Sequence, residues 1–536
     1  METKVSRKTW TQFFALVFGG FVCIEAMVFQ APAVPLIAAH FEVPAFLSGL
    51  IILSFYITST AFYPLAGRVA DQIGRKRVIL FGMILFTLSE VAAALSPTFS
   101  FLLFARVLQG FSVACILPVA LAYIGVLFPQ EKRGMAAGIF SAVQALASAT
   151  GAVIAGYLIG IYGWPIVYWI SGVLTAIGFF VILALVPESK GEGSKKLDLT
   201  GTLLIILTAG SILSVSTLVR SFGIDSPITL GTLGLGVLSA IILWFNQNRK
   251  ANPLIELSLI KNRLFTMVVI INLVIVAAYQ LFIYGMNFFL TTRPGGDVSE
   301  TGWFYTAIYL SGFFGNLIFG KLTDKFNNGK KLIIGALLIP IITLVIYIFT
   351  VNAGTAFNII FILTFFFGFT MGAVTPVIIK FALGEMPAEK YGAGASLFQF
   401  IRDIGAPLGQ VTGIVIFTTL TATFTQSALV NEAEQAGVNA SLMGAVEQAA
   451  LTNGSQVDES LAAELETLGV PLEDLLATAT ASAFTDALKI IALITIAFLV
   501  LSIILSVFIP VQRDRKKTKD PKNEFTPPIK PETEAL

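Results

Sequence analysis

The chain has 536 residues, of which 56% are apolar and only 12% are charged. A soluble globular domain carries about 25% charged residues, because its surface needs polar groups that water can solvate. This composition excludes a soluble enzyme, a disordered chain and a nucleic-acid-binding protein. The net charge of +2 carries little information about partners by itself.

The residues that bind metals and phosphates are scarce. Cys23 and Cys115 lie in apolar runs, and His40 is the one histidine, which cannot form a histidine-based metal site alone. The sequence also contains no GxxxxGK[ST] phosphate-binding loop. We therefore expect no metal and no cofactor, and neither an enzyme nor an ATP-driven pump.

Fourteen apolar runs are long enough to cross the hydrocarbon core of a bilayer, which takes roughly 20 helical residues. The runs are continuous rather than alternating, which indicates helices and not barrel strands. They cover residues 12–38, 47–66, 78–96, 100–127, 135–160, 165–187, 199–219, 227–246, 264–290, 301–319, 332–350, 355–380, 392–422 and 487–510. The sequence thus predicts an all-α integral membrane protein with fourteen transmembrane helices.

The positive charges predict the orientation of these spans. Most of the 34 lysine and arginine residues fall in alternate loops, beginning with the segment before the first span. Cytoplasmic loops are enriched in lysine and arginine. We therefore expect a multi-pass protein of the cell membrane with both termini in the cytoplasm.

The segment 423–486 differs from the other loops. It holds ten acidic residues and no lysine or arginine, and its Ala/Leu/Glu-rich stretches are typical of helices. A loop of this length is not needed to connect two spans, so we expect an external helical hairpin. The basic and Pro-rich tail, residues 511–536, is expected to be disordered and cytoplasmic.

A short motif occurs twice. After the second span the chain reads Gly67-Arg-Val-Ala-Asp71-Gln-Ile-Gly74-Arg75, and after the tenth span it reads Gly320-Lys-Leu-Thr-Asp324. Both copies lie between the second and third helices of a six-helix set if the seventh and eighth spans are an insertion. Internal repeats of this kind are a common way in which transporters are built.

The first copy resembles the signature loop of the major facilitator superfamily, and Arg106-Val-Leu-Gln109-Gly110 is similar to its R-x-x-Q-G motif. Fourteen spans with a central insertion resemble the drug:proton antiporter branch. The fifth span departs from that branch, because Gly151-Ala-Val-Ile-Ala-Gly156 replaces its G-P-x-x-G-G. The resemblance implies six-helix bundles at 1–187 and 264–510, separated by two inserted central helices at 188–263.

Three charged residues within the spans are candidates for proton coupling, because a charge in the bilayer is costly. Glu25 lies roughly 20 Å into the first span at 1.5 Å per residue, and such a carboxylate can carry a proton near neutrality. Asp403 is the second candidate acid. Arg106 is permanently charged and is expected either to tune a nearby carboxylate or to pair with Glu90.

Arg402 and Asp403 are adjacent in the thirteenth span. Neighbouring helical residues point about 100° apart, so we expect these two side chains to face different partners. An aromatic cavity with an acid would suit lipophilic cations through cation–π attraction. The residues predicted to line such a cavity are Glu25, Phe29, Gln109, Tyr284, Phe288, Gln399 and Arg402.

The signature loop implies a conformational latch. In the family, the matching aspartate is thought to cap a neighbouring helix and to pair with an arginine, which holds one conformation closed. The resemblance carries this role to Gly67, Asp71, Gly74 and Arg75, and Asp324 is expected to act in the same way in the second half. Positive-inside anchoring alone would explain the basic residues but not the aspartates.

These features predict a monomeric, proton-coupled secondary transporter that exports lipophilic, cationic drugs by alternating access. Its expected partners are a small lipophilic substrate, protons and the lipid bilayer, and no nucleic acid. One alternative is a lipid or lipophilic-anion exporter or flippase of the same fold, in which Arg106 and Arg402 would bind an anion. Another is a membrane receptor or scaffold that binds a partner through the acidic outer loop.

Overall fold

A computed structural model of the chain describes most of its length. The described residues are 5–43, 45–190, 198–250, 253–255, 257–293, 298–326, 329–384, 386, 391–435, 437–439, 442, 445, 465, 467–468 and 472–509. The predicted disordered tail, 511–536, lies outside them, as does most of the middle of the predicted outer hairpin.

The described part of the chain is helical throughout. The helices are α1 (Arg7–His40), α2 (Ala45–Ile73), α3 (Arg75–Ala94), α4 (Phe99–Leu127), a 3-10 turn (Gln130–Lys132), α5 (Arg133–Tyr162), α6 (Ile166–Leu185), α7 (Leu199–Phe222), α8 (Pro227–Arg249), α9 (Leu257–Lys261), α10 (Arg263–Thr292), α11 (Val298–Lys325), α12 (Gly329–Thr350), α13 (Phe357–Leu383), α14 (Tyr391–Gln435) and α15 (Leu472–Val507).

Fourteen of these helices have 20 or more residues, and each contains one predicted span to within three residues. Thirteen of the described helices are long and apolar enough to cross a membrane. The fourteenth is α11, which is more polar and packs between α5 and α13 in the middle of the molecule. The prediction of an all-α membrane fold with many transmembrane helices is confirmed.

Local sequence explains where several helices begin. The side chains of Ser6, Thr98, Asp198 and Asn262 accept hydrogen bonds from backbone N–H groups in the first turns of α1, α4, α7 and α10. Such N-caps satisfy donors that the helix itself leaves free. Between α2 and α3 the chain turns at Gly74, whose φ of 117° is a conformation that favours glycine.

The helices pack as two sets. The first six pack on one another mainly through α2–α4, α3–α4, α1–α5 and α3–α6, and the last ones mainly through α10–α14, α11–α13 and α14–α15. The two sets meet where α5 packs on α11 and where α2 packs on α14, while α7 contacts both α2 and α14. The domain limits at 187 and 263 stay a prediction.

The two ends of the acidic segment 423–486 belong to the helices that flank it. Helix α14 runs on to Gln435 and α15 already begins at Leu472, so both ends of the predicted hairpin are helical. A small apolar cluster joins these ends: Leu429, Ala433, Val438, Leu465 and Ala479. Its function stays a prediction.

Candidate substrate cavity and gate

A cavity of about 890 Å³ lies between the two sets of helices. Residues of α1, α2, α4, α5, α7, α10, α11, α13 and α14 line it. Its polar members are Tyr56, Tyr63, Ser141, Gln144, Ser148, Thr217, Ser221, Asn272, Gln280, Tyr284, Tyr309, Asn316, Thr375, Arg402, Asp403 and Gln410. A cavity of this size, mostly apolar with a few polar groups, matches a site for a drug-sized molecule.

Arg402 and Asp403 are the charged side chains among the described residues that line this cavity. The Nε atom of Arg402 donates a hydrogen bond of 3.0 Å to Oδ1 of Asp403. The expectation that the two face different partners was wrong, because the long arginine side chain folds back onto its neighbour. Ala406 and Pro407, which lie four residues further along the same helix faces as Arg402 and Asp403, also line the cavity.

Four tyrosines line the cavity together with Asp403, and two of them interact with its carboxylate. Tyr63 on α2 interacts with Asp403 through its hydroxyl group, across the boundary between the two sets of helices. Tyr56, Tyr284 and Tyr309 lie close enough to one another to interact electrostatically, and Asp403 acts on Tyr56 as well. Tyrosine faces attract cations and their hydroxyl groups donate hydrogen bonds, so this corner of the cavity favours a positively charged, aromatic or lipophilic ligand.

Of the residues predicted to line the cavity, Tyr284 and Arg402 do so. Glu25, Phe29, Gln109 and Gln399 are buried and are not among the described residues that line it. The side chain of Phe288 lies outside the described part of the structure. The functional roles of these residues stay predictions.

Glu25 lies next to the cavity rather than in its wall. Its neighbours Ile24 and Val28 on α1 line the cavity, whereas the Glu25 side chain is 5% exposed. Its Oε2 atom accepts no hydrogen bond from the described residues. A buried charged oxygen without a donor is costly, so the geometry is compatible with a carboxyl group that holds a proton.

Arg106 is enclosed within the first set of helices. Its Nε atom donates to the carbonyl oxygen of Ile51 at 2.9 Å, and Nη1 donates to Oε1 of Gln109 at 2.6 Å. The guanidinium lies 4.5 Å from the ring centroid of Phe55. Glu90 on α3 is close enough to act on Arg106 electrostatically, but its carboxylate oxygens accept no hydrogen bond from the described residues.

Two carboxylates join the two sets of helices at one end of the molecule, which we call the basic end because Lys76, Arg77, Lys330 and Lys331 lie there. We define the Asp71 bridge as Asp71, Arg75 and the backbone of Ala393. Asp71 on α2 accepts a hydrogen bond of 3.1 Å from the Ala393 N–H group in the first turn of α14. Arg75 donates to the same carboxylate at 2.9 Å, and both side chains are buried.

A second bridge, centred on Asp324, is built like the first, but here the second set of helices supplies the carboxylate and the first set supplies the helix N-terminus. We define the Asp324 bridge as Asp324, Lys380 and the backbone of Gly134 and Met135. The N–H groups of Gly134 and Met135, in the first turn of α5, donate to Asp324 at 2.9 and 2.7 Å. Lys380 on α13 donates to Oδ1 of Asp324 at 3.0 Å. Each bridge thus places a carboxylate of one set at a helix N-terminus of the other, where negative charge is favoured.

Small residues let the helices of the two sets approach at these bridges. A Cβ atom at Gly67 would overlap the Ser396 hydroxyl group on α14, and one at Gly138 on α5 would lie 2.7 Å from the Cα atom of Gly320 on α11. Gly67 and Gly320 are the matching first residues of the two motif copies. The repeat therefore predicts both the bridging carboxylate and the site of close contact beside it.

Arg133 is a further contact at the basic end that the sequence motifs did not indicate. Its Nη1 atom donates to the carbonyl oxygen of Gly384 at 2.8 Å, and its guanidinium lies 4.9 Å from the ring centroid of Tyr391. Both partners belong to the second half of the chain. Lys380, Gly134 and Ala393 were missed for the same reason, since only the three-dimensional packing brings them to the motif residues.

The arrangement of a central cavity between paired helical sets is shared with known proteins. A family model described as the Major Facilitator Superfamily matches residues 16–410. The chain belongs to this superfamily. As a Major Facilitator Superfamily member it is a multi-pass membrane transporter and not an enzyme.

Relatives of this major facilitator protein include transporters from bacteria. It is 24% identical over 442 residues to the uncharacterized MFS-type transporter YhcA of Bacillus subtilis, with 82% of both chains covered. It is 26% identical over 376 residues to the multidrug resistance protein Stp of Mycobacterium tuberculosis, with 70% of this chain and 69% of that protein covered. The crystal structure of the human organic anion transporter MFSD10 (TETRAN) shares the fold, with a TM-score of 0.55 and 14% identity over 92% of this chain and 99% of that one.

Proposed function

We propose that this major facilitator protein is a proton-coupled secondary transporter that exports lipophilic, cationic drugs by alternating access. The observation that carries the proposal is the cavity between the two sets of helices, which Asp403, paired with Arg402, lines together with four tyrosines. The similarity to a protein named as a multidrug resistance protein supports the substrate class.

The Arg402–Asp403 pair supports an exchange of cations on one carboxylate. A lipophilic cation that enters the tyrosine-lined corner competes with the Arg402 guanidinium for Asp403. A proton bound to Asp403 would remove the negative charge and with it the attraction for the cation. Cation and proton then bind in alternation, which is the requirement for antiport.

The two bridges support alternating access. They join the two sets of helices at the basic end, where the sets would have to separate for the cavity to open on that side. A carboxylate at a helix N-terminus contributes typically 0.3–1 kcal/mol, and up to about 2 kcal/mol where it is partly buried. Contacts of this strength can close one end and still open in each transport cycle.

We also assign proton-coupling roles to Glu25 and Arg106. Glu25 is buried one residue away from cavity-lining Ile24, so proton exchange between its carboxyl group and the cavity needs only a small rearrangement of α1. Arg106 holds the α2 backbone at Ile51, which lies beside cavity-lining Ile52. A change of charge near Arg106 is therefore transmitted to the cavity wall through α2.

Replacing Glu25 by glutamine tests the coupling. In proteoliposomes with an imposed pH gradient, we expect ethidium or tetraphenylphosphonium flux in the wild type and the loss of gradient-driven flux in the variant. The amide keeps the shape of the side chain but cannot release a proton. Proton movement is followed with a pH-sensitive dye during substrate addition.

Glu131→Gln is the matched control, because Glu131 is an exposed acid in the 3-10 turn before α5 and is expected to leave flux unchanged. Undiminished proton-driven flux in Glu25→Gln would contradict the role of Glu25. Flux of labelled lipids or lipophilic anions without cation flux would overturn the proposed substrate class.

A further inference from the structure

One of the two inserted helices forms part of the cavity wall. Leu213, Thr217 and Ser221 lie one helical turn apart on α7, and all three line the cavity. A spacing of four residues places side chains on one helix face. Helix α7 therefore presents a continuous stripe, with two hydroxyl groups, to the space in which the substrate binds.

Helix α7 fills a gap between α2 and α14. Near the basic end these two helices touch directly, as the contact of Gly67 with Ser396 shows. Towards the opposite end α7 lies between them. A Cβ atom at Gly49 on α2 would lie 3.3 Å from Cγ2 of Thr217, which is a tight contact.

The opposite side of α7 packs on the second set of helices. Val215 and Val219 are buried in a cluster with Tyr284 of α10 and with Val411 and Val415 of α14. Tyr284 itself lines the cavity. The same stretch of α7 thus contacts both sets of helices and the cavity between them.

Polar side chains join α8 to α7 in two places, one within the helices and one at the basic end. The Thr208 hydroxyl group donates to Oγ of Ser239 at 3.0 Å. At the basic end, Asp198 accepts hydrogen bonds from the Gln247 amide, at 2.7 Å, and from Lys250. Burial by itself would raise the pKa of Asp198, but the hydrogen bonds from Lys250, the Gly201 N–H group and Gln247 outweigh it and lower the pKa from its ordinary value.

The outer surface of α8 is apolar. Leu238, Ile241, Trp244 and Phe245 are each between about 45% and 60% exposed, as is typical of a helix that faces lipid. The pair α7–α8 therefore separates the cavity from the bilayer at the gap between α2 and α14.

We propose that α7 is a substrate-contacting wall of the transporter and that Thr217 is a specificity-determining residue. The substrate class in this inference rests on the proposed drug-transport function. The placement of α7 in the cavity wall does not depend on that function. Thr217 packs against Gly49 of α2 and lines the cavity, so its side-chain volume limits the size of a ligand that can bind against α7. The insertion is thereby part of the binding site rather than a spacer between two bundles.

Cysteine labelling tests the placement of α7. The full-length Thr217→Cys variant is treated with a charged, water-soluble methanethiosulfonate and compared with Thr232→Cys on α8, whose position is not among those that line the cavity. A thiolate forms readily only where water reaches the sulfur, so we expect labelling at 217 to be at least about tenfold faster. Native Cys23 and Cys115 are buried and give little background.

Transport measurements with Thr217→Trp test the specificity role. We expect KM for a bulky cation to rise about tenfold, equivalent to 1.4 kcal/mol, and to change much less for tetramethylammonium-sized substrates. Thr232→Trp is the matched control and should leave both KM values unchanged. Thr217→Val, which keeps the volume and removes the hydroxyl group, separates size from hydrogen bonding.

The two measurements distinguish this inference from the proposed function. Equal labelling at 217 and 232 would overturn the placement of α7, even if the wild type transports ethidium. Faster labelling at 217 in a protein that moves no lipophilic cation would support the placement and overturn the substrate class. A uniform change of KM for large and small substrates in Thr217→Trp would overturn the specificity role.

Discussion

Replacement of Asp403 by asparagine is expected to lower the transport of a lipophilic cation such as ethidium by at least about tenfold. The cation loses its anionic partner and meets the uncompensated Arg402 guanidinium in a site that is partly open to the cavity, with 27% and 15% exposure of the two side chains. A contact between charged groups is worth about 1.5 kcal/mol or more, which is about a factor of ten in binding. Asparagine neither balances Arg402 nor carries a proton, so the remaining flux should be independent of the pH gradient.

The measurement is ethidium flux in inverted membrane vesicles at several imposed pH gradients. Asp486→Asn is the control, because Asp486 pairs with Lys489 at 2.9 Å on α15 and its side chain is 51% exposed. Arg402→Gln is the complementary variant. It removes the internal competitor for Asp403, so we expect a lower KM for the cation. Wild-type flux and gradient dependence in Asp403→Asn would exclude Asp403 as the shared site.

The membrane fold could be predicted from the sequence because its signals are local. The length of an apolar run decides whether a helix can cross the bilayer, and each of the fourteen runs corresponds to one long helix. Thr98 and Asn262 similarly mark helix starts through contacts with residues two or three positions away. The run 301–319 predicts α11 in the same way, although this helix is not among the thirteen that are apolar enough to cross a membrane by composition.

The cavity could be predicted only in part, because helices of a membrane bundle are apolar on every side. The sequence places Glu25 at mid-membrane depth, but it does not show that Ile24 and Val28 line the cavity while Glu25 is buried beside it. Depth along a span follows from counting residues. Rotation of the helix about its own axis depends on which neighbours pack against it, and that information is not local.

The two helices predicted as a central insertion show the same limit of prediction from sequence. Two spans in the middle of the chain are visible as apolar runs, but nothing in the run of α7 indicates that Thr217 borders the cavity. The residues that pack against α7, Gly49 on α2 and Tyr284 on α10, are distant from it in sequence on either side. The repeat was more informative, because Asp71 and Asp324 occupy matching positions and their bridges are built alike.

The two bridges lead to the second large expected effect. Asp71→Asn combined with Asp324→Asn should open the basic end, because each substitution weakens a charged contact at a helix N-terminus and removes an ion pair, with Arg75 or with Lys380. The two sites lie on different helix pairs and should act additively. A shift of about 2.8 kcal/mol changes the ratio of open to closed conformations a hundredfold. We expect each single variant to give part of this shift and the double variant to abolish most transport, since the protein no longer returns to the closed conformation.

The opening can be measured as a distance between spin labels at Ile73 on α2 and Phe326 after α11, which are 49% and 48% exposed. The double variant should gain a population at longer distance, and Glu131→Gln, an exposed acid at the same end, should not. Because asparagine retains the size of aspartate and can still accept one hydrogen bond, a longer distance reports the loss of charge rather than a loss of packing. An unchanged distance distribution together with normal transport would show that the other contacts at this end, the close helix contacts at Gly67 and Gly138 and the contact of Arg133 with Gly384, hold it closed without the two carboxylates.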